Sequence, residues 1–280
     1  MSAYPRPELL ASADWVAESI GRPDVRILDV RWRPDGSGRA GYAGGHLPTA
    51  VYLDWSTDLV ETDEETGLPL LAGPDTVAAA LERAGIGSGA TLVLYDDNAS
   101  LFAARAWWSL RVYGLESSRI LDGGLHAWVA SGRDVSNARH APATASYVPR
   151  AQPRMRLVTS DVRAMLGSPD VLLLDARPPA EYRGLQGNAR RLGHIPGARN
   201  IPVTATTEPS TGVFRSGDAL REMLLRANVT RGKRLVCYDE SGIGSAKLAF
   251  VLALLGHDDV AVYDGGWSDW GNRLDLPVDR

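Results

Sequence analysis

Residues 235–249 read LVCYDESGIGSAKLA. An apolar run from Leu235 to Cys237 breaks into a polar loop, Asp239 to Gly244, after which Ala246, Leu248, Ala249 and Phe250 return at helical spacing. That order predicts a strand, a tight loop and the start of a helix. Such a turn gathers backbone N–H groups and the positive end of a helix dipole at one point, where an anion or a developing oxyanion is favoured. An ordinary strand-to-helix turn of an α/β domain has the same pattern, so the loop alone does not separate chemistry from architecture.

The surrounding chain supplies the context, because it contains the same unit twice. ILDVRW, GGHLPTAVYLDW, LVLYDDNAS and RILDGGLHAW in the first half return in the same order as LLLDARP, GHIPGARNIPV, LVCYDESGI and VAVYDGGWSDW. Asp29 and Asp175 are 146 residues apart, His46 and His194 148, Asp96 and Asp239 143, and Trp128 and Trp270 142, a drift that loop-length changes explain. Within each copy, short apolar runs (Ile27 to Val30, Leu92 to Leu94) alternate with helical patterns (Asp75 to Ala84, Ala103 to Val112). This implies an α/β fold of two domains, each a parallel sheet covered by helices on both faces. The join falls in Asn137 to Arg156, which is rich in Pro, Ala and polar residues and has no periodicity.

Composition bounds the function. A length of 280 residues suits two domains, and 44% hydrophobic with 23% charged residues is globular composition. A net charge of −4 argues against nucleic acid or an anionic membrane as partner. MSAYPRPELLASADW has no basic stretch followed by an apolar core, and no 18 apolar residues run together, so a cytoplasmic protein is expected. One cysteine, Cys237, permits no intrachain disulfide and no cysteine-cluster metal site. Neither a glycine-rich dinucleotide motif nor a phosphate-binding loop is present, and no histidine has ligands at trusted spacing, so no cofactor and no metal is expected.

The repeated blocks resemble the rhodanese sulfurtransferases, as a tandem running from about Ile27 to Trp270. The resemblance implies a first rhodanese-like domain over 1–138, a linker over 139–156 and a second domain over 157–280 that carries the active-loop position. In the branch similar to the 3-mercaptopyruvate sulfurtransferases, that loop reads Cys-Gly-Ser-Gly-Val-Thr and its cysteine carries a persulfide. Aligned without gaps, Asp239 falls on the cysteine, and Glu240, Ser241, Gly242, Ile243 and Gly244 form the substrate cradle. Cys237 lies two residues earlier, opposite Leu94 of the first repeat, an apolar core position. Sulfur transfer needs a soft thiolate, which a carboxylate cannot replace. Aspartate is also a favoured helix cap, and Asp96 holds the matching place in the first repeat, so a cap and a chemical role are both open for Asp239.

Further positions follow from the same resemblance. Glu181 stands where the family places a substrate-clamping arginine, while Arg190, with Arg191 beside it, falls on a second one. Asp35, His46 and Ser241 match a hydrogen-bonded relay near the substrate carbonyl, spanning an interdomain cleft, although a histidine before a turn is equally often held by backbone. Three functions stay open. One is a rhodanese-fold enzyme with cysteine-independent acid–base chemistry on a small molecule, using Asp239, Ser241, His46 and Asp35. The others are sulfur transfer through Cys237, and a catalytically silent module that binds a metabolite or a protein partner.

Overall fold

The computed structural model describes residues 4–280. Among these residues twelve strands form two five-stranded sheets and one hairpin. In the first half these are β1 (Leu10–Ala11), β2 (Val25–Asp29), β3 (Val51–Tyr52), β4 (Val60–Thr62), β5 (Pro69–Leu71), β6 (Thr91–Tyr95) and β7 (Ser118–Leu121). In the second they are β8 (Arg156–Leu157), β9 (Val171–Asp175), β10 (Arg199–Asn200), β11 (Arg234–Tyr238) and β12 (Val260–Tyr263). The first sheet runs β1-β7-β6-β2-β3 and the second β8-β12-β11-β9-β10, the same order under the repeat, with every pairing parallel. Strands β4 and β5 pair antiparallel and stand apart as an arm.

Side-chain alternation along the central strands sorts the core. Leu92 and Leu94 of β6, and Leu235 and Cys237 of β11, enter one apolar cluster shared by the two halves. Val93 and Tyr95 face an outer cluster in the first half, as Val236 and Tyr238 do in the second. Cys237 is therefore a core residue, matching Leu94, and is fully buried.

The shared cluster forms because helices Leu101–Val112 and Ile243–Leu254 pack against each other. The second has every residue after Ile243 buried, as expected for a helix apolar all round. Trp107 meets Phe250 edge to face with centroids 5.0 Å apart. Residues 141–152 carry no helix or strand, yet they are strapped down: Tyr147 donates its hydroxyl to Tyr113 O, and Arg150 N–H donates to the same carbonyl at 2.8 Å. Among the described residues no helix is long and apolar enough to cross a membrane.

Candidate functional site

Strand β11 ends at Tyr238, and the chain turns at Asp239 into the helix that begins at Ile243. Asp239 folds back over that helix start. Its Oδ1 accepts from Gly242 N at 2.7 Å and from Ser245 Oγ at 2.9 Å, and its Oδ2 accepts from Gly244 N at 2.9 Å. Two of the amides that such a loop would offer to an anion are thus taken by the loop's own carboxylate. Asp96 does the same in the first half, accepting from Asn98 N and Ser100 N on one oxygen and from Phe102 N and Ala103 N on the other. The glycines of the following block complete each loop. Gly124 and Gly266 hold φ of 56° and 55°, and a Cβ on either would overlap the carbonyl oxygen of Asp96 or Asp239.

Around Asp239 the charge is mainly negative. Glu240 accepts from Ser268 Oγ at 3.1 Å, while its Oε2 lies 4.0 Å from Arg177 and has no hydrogen-bond partner among the described residues. Burial pushes the Glu240 carboxyl up, with Asp239 adding to the rise and Ser268 and Arg177 opposing it. Glu181 is pushed up as well, first by burial and then by Glu240, Asp175 and Asp239. Arg177 is already committed, bonded to both oxygens of Asp175 and to Gly193 O at 2.7 Å. Arg31 repeats that arrangement with Asp29 and Gly45 O in the first half.

The other sequence candidates are placed as follows. Cys237 sits in the core, and burial, reinforced by Asp239, pushes its thiol far above the usual range, so little thiolate is available. His46 stacks on Tyr42 at 3.9 Å, with Nδ1 2.7 Å from Tyr42 O and Nε2 3.2 Å from Ala138 O. His194 is held in the same way, stacked on Tyr182 with Nδ1 2.8 Å from Tyr182 O. The exposed Asp35 accepts from Ser37 N at 3.0 Å within its own turn. Ser241 is half-buried. Among the described residues no hydrogen bond joins Asp35, His46 and Ser241. Arg190 N–H donates to Asn272 Oδ1 at 2.9 Å, and the Arg191 guanidinium is spent on the carbonyls of Trp270, Arg273 and Leu276, pinning the C-terminal segment. The structure thus gathers Asp239, Glu240, Gly242, Gly244 and Glu181 in one region, and gives Arg191, His46 and Asp35 other partners.

Sequence reasoning passed over the charged residues that join the two halves. Arg105, fully buried, donates to Gly242 O at 3.1 Å and to Asp264 Oδ1 at 2.8 Å, fixing the second-half loop from the first half. Asp264 also accepts from Leu71 N on the β4–β5 arm at 2.8 Å and from Arg156 at 3.0 Å. The repeat places Lys247 opposite Arg105 and Asp122 opposite Asp264. There Lys247 donates to Thr207 Oγ1 at 3.2 Å, and Asp122 accepts from Phe214 N at 2.9 Å. The 142-residue offset, applied to charged residues as it was to tryptophans, would have picked out all four.

The paired sheets, the two Asp-capped loops and the exchanged contacts define a duplicated rhodanese architecture. The rhodanese-like domain profile matches residues 12–131 and 158–273, and the chain belongs to the rhodanese family. It is 33% identical to the sulfur carrier protein TtuD of Thermus thermophilus over 288 residues, covering 98% of each chain. It is 32% identical to the 3-mercaptopyruvate sulfurtransferase of Escherichia coli over 275 residues, covering 95% of this chain and 96% of that one. The crystal structure of SseA from Escherichia coli, described as a 3-mercaptopyruvate sulfotransferase, superposes with a TM-score of 0.83 at 30% identity, over 93% of this chain and 99% of that one.

Proposed function

We propose that this rhodanese-family protein is a binding module without sulfur-transfer chemistry of its own, in which Asp239 stands where the transferases carry their persulfide cysteine. The observation that carries this reading is the Asp239 carboxylate, which takes the Gly242 and Gly244 amides and the Ser245 hydroxyl from within, as Asp96 takes four amides in the first half. Cys237 offers no substitute, being a core side chain on a central strand. Glu181 and Glu240, beside an Arg177 already bound to Asp175, favour neutral or cationic ligands over anionic thiosulfate or mercaptopyruvate.

One observation favours acid–base chemistry as a second reading. Glu240 has a carboxyl raised by burial and one oxygen without a hydrogen-bond partner, so it is a better candidate for proton transfer than Asp239, Ser241 or His46. A substrate turned over by the wild type and not by Glu240→Gln would replace the silent-module reading with this one.

The direct test is intact mass after incubation with thiosulfate or 3-mercaptopyruvate. The wild type should gain no sulfur. Asp239→Cys should empty the cradle and place a thiol at a helix N-terminus, where it can take one sulfane sulfur from thiosulfate and release sulfite. A sulfur gained by the wild type, removed by dithiothreitol and absent from Cys237→Ser, would return the protein to the transferases.

A further inference from the structure

The N-terminal segment crosses from one half of the molecule to the other. Tyr4 donates its hydroxyl to the carbonyls of Phe214 and Arg215, Arg6 N–H donates to Leu254 O at 3.2 Å, and Leu10 then joins β1 against β7. Beneath the crossing lies a cavity of about 250 Å³, lined by Arg6, Arg111 and Arg119 together with Thr91 and Ser117, and by two acidic residues, Glu8 and Glu116. It opens at the starts of β6 and β7, the opposite end of the sheet from the Asp96 loop, which follows the end of β6.

The three guanidinium groups outnumber the two acidic residues that line the cavity with them. Among the described residues neither Arg111 nor Arg119 has a carboxylate within ion-pair distance. Arg111 lies 5.0 Å over the Trp107 ring and donates to Glu116 O at 3.1 Å, and Arg119 lies 4.5 Å over the Trp15 ring. A guanidinium stacked on a ring keeps its in-plane N–H edge free for a bidentate acceptor. Arg6 is only loosely paired, at 3.4 Å from Glu8 and 3.6 Å from Asp258, whose side chains are 56% and 90% exposed and hence solvent-screened. Burial and then Arg6 push the Arg111 guanidinium down, while Glu116 opposes, as expected when cations share a space short of counter-charge.

The fold does not require these residues. The repeat sets Arg111 against Ala253 and Arg119 against Ala261, so the second half builds the same helix and strand without either arginine. A cavity of this size suits a compact ion and is below the usual range for drug-sized ligands, about 300 Å³ and above.

We propose that this pocket binds a compact oxyanion of the phosphate and sulfate class, held by Arg6 from the crossing segment and by Arg111 and Arg119 from the first domain. The proposal is independent of what happens at the Asp239 loop. The ion bridges the segment and the sheet, so its binding also fixes the crossing in place.

Calorimetric titration of the whole protein with sodium phosphate, and separately with sodium sulfate, tests it, with sodium chloride keeping ionic strength constant. Saturable one-site binding is expected for one or both ions, and sodium chloride alone should give none. Arg111→Gln and Arg119→Gln should each weaken binding by about tenfold or more, the scale of a lost charge-assisted hydrogen bond. Arg119→Lys should weaken it less, which keeps the test valid if Arg111→Gln folds poorly. Heats that follow ionic strength alone, or affinity unaltered in Arg111→Gln/Arg119→Gln, would overturn the proposal.

Discussion

Arg105 and Lys247 hold matching places in the two central helices, yet among the described residues only Arg105 makes an ion pair. Arg105 reaches Asp264 and the Gly242 carbonyl, locking the second-half loop, whereas Lys247 ends against the Thr207 hydroxyl, 5.7 Å over the Phe214 ring. Both side chains are almost completely buried. Duplication has therefore preserved two crossings of the same interface, with a buried ion pair at one and, at the other, an ammonium that bonds to a hydroxyl and meets the Asp96 charge only at longer range. A charge removed from water costs least where geometry returns the lost solvation, and the Arg105 side does so more fully than the Lys247 side.

The largest effect that would break this comparison comes from Arg105→Met. It leaves Asp264 with Arg156 and the Leu71 N–H, and leaves Gly242 O without its side-chain donor. A loss of about 3–5 kcal/mol is expected from urea unfolding, the usual cost of removing one partner of a buried pair.

Lys247→Met should act in the opposite direction. Burial pushes the Lys247 ammonium down from 10.5 to about 8, with Asp96 opposing the shift. Since folding lowers this pKa, the unfolded chain holds the proton more tightly, and the folded state carries the full penalty below pH 8. The penalty fades as pH rises from 8 to 10.5. Replacement by Met should thus raise stability at pH 7 by on the order of 2–3 kcal/mol, and the gain should shrink toward pH 10.5. A gain independent of pH would show that packing, not charge, separates the two crossings.

The smallest effect concerns the two loops. Asp96→Ala and Asp239→Ala should each cost about 1–2 kcal/mol as lost helix caps. Asp96 should lie at the upper end, because it accepts from four backbone amides where Asp239 accepts from two and a hydroxyl. Equal thermal shifts would make the loops interchangeable, and a much larger loss at Asp239 would mark a role there beyond capping.

The fold was readable because it is written twice. Alternation in LVLYD and LVCYD places Leu94 and Cys237 on the same face of equivalent strands, and the structure puts both in the shared core. The candidate site was less legible. Asp239 read equally well as cap or reactant, since both uses need a carboxylate at the same turn, and only the three donors around it weigh one against the other. The partners of His46 are backbone carbonyls, which leave no trace in side-chain identity. Arg105 and Lys247 were passed over because helical periodicity scores a charged residue as a solvated face, and it cannot register that a second domain covers that face.

Each half also extends an arm to the other. The Leu71 amide donates to Asp264 and the Phe214 amide to Asp122, so each domain borrows a hydrogen bond for its repeated aspartate from its sibling. Cutting the exposed chain near Ala143 and Thr144 should accordingly yield two fragments that stay together as a tight heterodimer rather than two independent proteins. In evolutionary terms the duplication has become hard to undo: a gene that lost either copy would leave the survivor with an open apolar flank and a carboxylate bereft of its donor.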